Sequence, residues 1–161
     1  MTTKIEIRPA RMSDASQLAK LRFGLRSRPT NLESEQEFLT RCAAWMANAL
    51  QQNNWRCWVA QRDETLVAAL WLQLVEKIPN PTAEPEALGY ITNFFVDESE
   101  RGKGLGSRML SEVLTWCREQ QSAKGRLLNS IVLWPTERSR QLYLRNGFEV
   151  PDDLFELDLV K

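Results

Sequence analysis

Arg101-Gly102-Lys103-Gly104-Leu105-Gly106 is the sharpest chemical feature of this 161-residue chain. Glycines at alternate positions let a backbone turn tightly and let a ligand approach it closely. The hexapeptide follows a stretch rich in β-formers, Leu88 to Val96. It opens a segment in which Leu105, Met109, Leu110, Val113, Leu114 and Cys117 recur at helical spacing. The unbonded N–H groups of the first helical turn therefore face the loop, a geometry that binds phosphate oxygens. Arg101, Lys103 and Arg108 add positive charge, so the expected partner carries a phosphate or diphosphate. Two nucleotide motifs fit badly. The loop lacks the Gly-Lys-Ser/Thr ending of a Walker loop, and its third glycine falls one position early for a dinucleotide fingerprint. The alternative is that these glycines only form a tight helix entry.

The second chemical feature is Tyr143. Leu142, Tyr143 and Leu144 are consecutive apolar positions that subtend about 200° on a helix, wider than one core stripe. At least one of them is expected to face something other than the main core. Tyr143 is the natural candidate, because its phenol can supply a proton; otherwise it is a core residue with its hydroxyl at the rim. Histidine is absent, which removes the commonest neutral-pH base and the commonest metal ligand. Cys42, Cys57 and Cys117 are odd in number and show no CxxC spacing. They read as buried thiols rather than as a disulfide frame or a zinc site, which makes a cytoplasmic location the default.

Composition narrows the partners. Twenty-one Lys and Arg balance 21 Asp and Glu, a poor starting point for nucleic-acid binding. No run approaches the roughly 18 apolar residues of a membrane span, and the first residues lack an apolar signal core. The length suits one domain, spanning residues 1–161. Six tryptophans are expected mainly to pack, although Trp71 and Trp134 lie on strands that could border a cleft.

The elements that must position these residues follow from periodicity. Lys4 to Arg8 reads as a strand and Asp14 as the cap of a helix to about Arg26. Pro29 and Asn31 interrupt the chain, and Glu33 to about Gln52 reads as a second helix. Trp55–Gln61 and Thr65–Val75 flank Arg62-Asp63-Glu64 as a hairpin, and 76–86, with Pro79, Pro81 and Pro85, is a long loop. The Leu88–Val96 strand, the helix from Leu105, and a Leu128–Trp134 strand form a unit long enough for a parallel crossover. A short helix from Thr136 ends at Asn146-Gly147, and Phe148–Val150 with Leu154–Val160 make a final strand pair. The class is α+β (mixed α/β), one central mixed sheet flanked by helices.

Together the two chemical segments resemble the GCN5-related N-acetyltransferase superfamily. Arg101, Gly104 and Gly106 fall on its Arg/Gln-x-x-Gly-x-Gly/Ala pattern, and Tyr143, Gly147 and Phe148 match its second signature. Thr136 and Ser139 stand where Asn and Ala are frequent. The resemblance implies acetyl-CoA as acyl donor and direct attack by a primary amine of a small molecule or peptide, with no metal. It implies that backbone groups of Phe94, Phe95 and Val96 hold the pantetheine arm. The N–H groups of Arg101, Gly102, Lys103, Gly104, Leu105, Gly106 and Ser107 would hold the diphosphate. The thioester would lie between the two diverging strands, and Tyr143 would protonate the departing thiolate. The glutamate that members often carry in the strand before the loop is missing from Ala87 to Val96. Glu86 is the candidate base through a water chain, or else a solvated loop residue, and Asn93 could orient water. Glu76, Glu84 and Glu86 would suit a cationic acceptor. A homodimer, a noncatalytic acyl-CoA-binding regulator and, more remotely, a nucleotide-dependent phosphotransferase stay open.

Overall fold

Alternating apolar runs too short to be helices need a sheet, and two amphipathic segments must cover each of its faces. The computed structural model describes residues 4–25 and 33–160; the Pro29–Asn31 interruption lies outside them. Five strands form one sheet in the order β1-β2-β3-β4-β7: β1 (Glu6–Pro9), β2 (Trp55–Arg62), β3 (Thr65–Glu76), β4 (Ala87–Val96) and β7 (Leu128–Val132). The first four pair antiparallel, and β7 pairs parallel with β4. A small hairpin, β5 (Gln121–Ser122) with β6 (Gly125–Arg126), interrupts the crossover and was not legible in the periodicity.

The helices divide between the faces. On one side lie α1 (Ala15–Leu25) and α2 (Glu35–Ala49), whose Leu18, Ala19, Met46 and Ala49 pack on Cys57, Val59, Ala69 and Trp71. On the other side α3 (Leu105–Glu119) buries all six residues of its apolar stripe against Trp58, Ala60, Leu70, Leu72 and Ile91, and α4 (Arg140–Arg145) adds Tyr143. Rows of alternating residues on β3 therefore disappear into both cores, which explains why Leu66 to Leu72 is apolar without interruption.

Local starts and stops differ from the sequence expectation in several places. Ser34 rather than Glu33 begins α2: its hydroxyl accepts from Glu37 N–H, and Glu37 returns a bond to Ser34 N–H at 2.7 Å. Asp14 does not cap α1 but closes a 3-10 turn at Met12–Asp14, accepting from Arg11 N–H at 2.7 Å and from both terminal nitrogens of Arg8 at 2.8 and 3.0 Å. Arg8, through its hydrogen bonds above all, holds that buried carboxyl below its ordinary range. Finally, the proposed C-terminal strand pair is absent: 148–160 carries no strand, and Leu154 to Val160 is exposed throughout. Alternation there supplies a strand pattern, but pairing needs a neighbour, and among the described residues it has none.

Candidate active site

The glycine loop lies where β4 ends. A 3-10 turn at Glu98–Glu100, capped by Asp97, leads into it. Gly102 and Gly104 take φ of 72° and 79°, and Gly104 is the N-cap of α3. A side chain there would be strained, yet a Cβ at either position would meet no atom within 4 Å, so the space above the loop is open. Arg108 N–H closes the first helical bond on Gly104. The amides of residues 102 to 107 have no acceptor among the described residues. Six adjacent donors at a helix N-terminus, beneath open space, form a field for an anion.

The basic side chains of the loop are partly spoken for. Arg101 donates from Nε to Val96 O at 2.8 Å, pairs with Glu98 at 2.9 Å and lies over the Phe95 ring. Lys103 reaches Glu100, a buried carboxylate held chiefly by Arg62. Their first task is to shape the turn; the anion field comes mainly from the backbone.

The two motifs meet at the first turn of α3. A Cβ on Gly106 would stand 3.6 Å from Leu142, 3.8 Å from Phe94 and 3.9 Å from Val96, so β4, the loop and α4 converge there. Tyr143, beside Leu142, is 7% exposed, and burial pushes its phenol up to about 12. Its ring meets Phe148 edge-on at 5.5 Å, and its hydroxyl bonds to no described residue. The residue of α4 that leaves the core is Leu144, not Tyr143. The helix is shorter than expected at its start, because Thr136 and Ser139 exchange turn bonds ahead of it. It stops as expected: Gly147 takes φ 86° and donates to Leu144 O.

β4 and β7 part beside this junction. Their pairing runs from Ala87↔Leu128 to Tyr90↔Val132 and goes no further, although β4 continues to Val96. The edge of β4 from Ile91 to Val96 thus has no strand beside it among the described residues. On its other side the β3 ladder breaks: Trp71 opposes Thr92 and Ala69 opposes Phe95, leaving Leu70 against both Asn93 and Phe94. This is a bulge, and Asn93 takes φ 50°. Arg22, in the last turn of α1, donates to Asn93 Oδ1 at 3.1 Å. Sequence reading marked Asn93 but missed Arg22, because nothing in a helix's local pattern announces a contact 71 residues away.

Opposed residues of neighbouring strands share a face. Trp55, Gln73, Tyr90 and Val132 make one row, and Cys57, Trp71 and Thr92 the next. Trp134 meets Tyr90 edge-on at 5.3 Å, and Trp45, Trp55 and Trp71 form a cluster with centroids 5.3 to 6.0 Å apart. Trp71 is buried with its Nε1 unpaired, while Trp45 and Trp134 are half exposed. The α1/α2 face of the parted strands is therefore walled by aromatic rings.

Glu86 is not brought to this place. It precedes β4, and seven residues lie between it and Phe94, roughly 25 Å along the strand. Its carboxylate pairs with Lys124 and accepts from Asn80 N–H at 3.0 Å, and the Lys124 bond above all lowers its pKa. With Lys77 N–H bonded to Glu86 O, these contacts pin both ends of the 77–86 loop. A hollow of about 380 Å³ near Asn54, Gln73 and Glu76 also lies at that far end.

The same architecture recurs in known structures. A predicted acetyltransferase from Clostridium acetobutylicum, crystallised with acetyl-CoA, superposes with a TM-score of 0.76 at 24% identity over 97% of each chain. A GCN5-related N-acetyltransferase from Ralstonia eutropha JMP134 gives 0.73 at 22% identity, over 96% of this chain and 99% of its own. Glucosamine-6-phosphate N-acetyltransferase from Arabidopsis thaliana gives 0.66 at 17%, over 97% and 99%. Curated protein sequences offer no significant match. These likenesses establish the fold, and a family model extends it to sequence, matching residues 21–148 from α1 through the loop to the end of α4. With loop, parted strands and Tyr143 helix all inside that match, the chain belongs to the Acetyltransferase (GNAT) family.

Proposed function

We propose that the protein is an acetyl-CoA-dependent N-acetyltransferase acting on a primary amine of a small molecule or peptide, by direct attack within a ternary complex. The observation that carries this reading is the run of amides at 102–107, unpaired with protein beneath open space, at the end of an unpaired strand edge. The diphosphate of the donor sits on those amides, Ser107 at the far margin; Arg101 N–H, expected among them, is instead bonded to Glu98 O at 3.3 Å. The pantetheine arm runs along Phe94, Phe95 and Val96 as an added strand, bonding to the edge that β7 leaves free. The thioester then lies at the bulge, where a backbone N–H of the splayed strand would stabilise the tetrahedral oxyanion.

The acceptor enters from the α1/α2 face, between Tyr90, Trp134 and the tryptophan cluster. Its neutral nitrogen attacks the carbonyl carbon, the C–S bond breaks, and Tyr143 passes its phenolic proton to the leaving thiolate. The proton freed from the attacking nitrogen passes through water ordered by Asn93 and restores the Tyr143 phenol; Glu86 is a terminal acceptor at most, since its pairing with Lys124 makes it a weak base. Three free thiols suit a reducing compartment such as the cytoplasm. No described helix is long and apolar enough to cross a membrane.

The test joins calorimetry with acetyl-CoA to a thiol-release screen over polyamines, amino sugars, aromatic amines and peptide N-termini. Binding with turnover of at least one amine class is expected. Binding without turnover on any amine would favour the noncatalytic regulator, and absence of binding would overturn the reading altogether.

A further inference from the structure

The turn that leads into the glycine loop carries more acid than suits a diphosphate. From 97 to 103 the chain sets Asp97, Glu98 and Glu100 against Arg101 and Lys103, one carboxylate in excess. Two of these acids have local work: Asp97 accepts from Ser99 N–H at 2.9 Å, and Glu98 pairs with Arg101. Glu100 is different, because it is buried, at 4% exposure, on the turn just ahead of the loop amides. A carboxylate in that position needs a cation beside it, since removing its partner leaves a charge that water cannot reach.

The main partner comes from another element. Arg62, the last residue of β2, pairs with one oxygen of Glu100 across 38 residues of sequence. Lys103 lies 3.5 Å from the other oxygen, with its side chain 62% exposed. That contact is long and its ammonium is largely in water, so it is the weaker of the two. Asp97 N–H bonds to Val67 O of β3 at 2.8 Å, which holds the turn against the same hairpin and keeps Arg62 within reach. One carboxylate is thus shared by two cations, one carried on a strand and one free to leave. The free one belongs to the loop itself, where an anion on the amides of 102–107 competes for it.

We propose that Arg62 is a positioning residue for the donor: it neutralises Glu100, so that the Lys103 ammonium transfers from that carboxylate to the diphosphate on the loop. The inference rests on the reading of 102–107 as the diphosphate cradle. With Arg62 in place, the donor gains a cation and no buried charge is left unpaired. Without it, Glu100 retains Lys103, and an uncompensated carboxylate stands beside the cradle. Both effects oppose the diphosphate and neither reaches the thioester, so the affinity for the donor changes and the chemistry does not.

Calorimetry with two donors tests this, acetyl-CoA and S-acetylpantetheine, which lacks the diphosphate. Arg62→Gln is expected to weaken acetyl-CoA about ten-fold, the effect of one charge-assisted bond, and to leave S-acetylpantetheine within about two-fold. Glu100→Gln alone leaves acetyl-CoA bound no more weakly than in the wild type, and added to Arg62→Gln it restores affinity to within about three-fold. A role confined to shaping the loop gives the reverse: Glu100→Gln as harmful as Arg62→Gln, and no rescue. That result overturns the proposal, as does an equal loss on both donors or an Arg62→Gln protein that binds acetyl-CoA like the wild type. A wild type that binds no acetyl-CoA overturns the functional reading and this inference together. Should the Arg62 variants fail to fold, Lys103→Gln and Glu100→Gln decide. Weaker acetyl-CoA binding in the first and none lost in the second supports the transfer; unchanged affinity in the first, or a loss in the second, overturns it.

Discussion

The phenol of Tyr143 keeps its proton because burial among Leu105, Leu142 and Phe148 penalises the charged form, raising its pKa to about 12. In the proposed reaction the acid is therefore loaded throughout the useful pH range, and no alkaline fall near pH 10 should trace to it. Tyr143→Phe is expected to lower kcat about 100-fold while leaving the KM for acetyl-CoA within about two-fold. Stability follows the same shift. The folded value exceeds the unfolded one of about 10, so Tyr143 contributes stability that is complete below pH 10 and is lost as pH rises toward 12. Urea titrations of both proteins across that window check the sign: only the wild type should show this loss. Asn93 poses a different question, because φ 50° suits Asn or Gly but costs most other residues about 1–2 kcal/mol. Asn93→Ala should destabilise by about that amount, and Asn93→Gly should recover it. If activity follows the Oδ1 bond to Arg22 rather than the backbone, Gly restores stability but not kcat.

Among the elements, α3 does two jobs with its two ends. Its stripe from Leu105 to Cys117 anchors it to the sheet, and its first turn presents amides that the protein leaves unbonded. Gly104 and Gly106 serve that turn differently. At Gly104 the demand is conformational, φ 79° under open space; at Gly106 it is proximity, with Leu142, Phe94 and Val96 all at ordinary contact distance from a would-be Cβ. Gly104→Val should weaken acetyl-CoA at least ten-fold in calorimetry and cost about 1–2 kcal/mol of stability. Gly106→Ala should leave stability within about 0.5 kcal/mol. Any loss of affinity it shows measures how closely the ligand approaches the backbone.

At the scale of the molecule, the donor is expected to bridge elements far apart in sequence: β4, the loop and α4. A ligand that binds only the folded arrangement stabilises all of it. Acetyl-CoA at 100 times its Kd should add about 2.7 kcal/mol, which for a chain of this size raises Tm by roughly 5–10 °C in a thermal scan. S-acetylpantetheine, which lacks the diphosphate, should give little shift at the same concentration. An equal shift would move the main binding contribution away from residues 102–107.

Local structure was readable from local sequence. Glycine spacing announced the loop, and the apolar stripe from Leu105 announced the helix behind it. Asn146-Gly147 marked where α4 must stop, because such features depend on neighbours a few residues away. Everything that depended on distant partners was decided by the tertiary structure. Leu144 rather than Tyr143 turned to solvent because the sheet takes one face of α4, and Glu86 was drawn to Lys124, 38 residues on, away from the parted strands. Arg22 reached the bulge through the packing of α1 on β4, and residues 154–160 kept a strand's alternation without a strand's neighbour. Periodicity encodes which side of an element is apolar; only the assembled sheet determines what that side will meet.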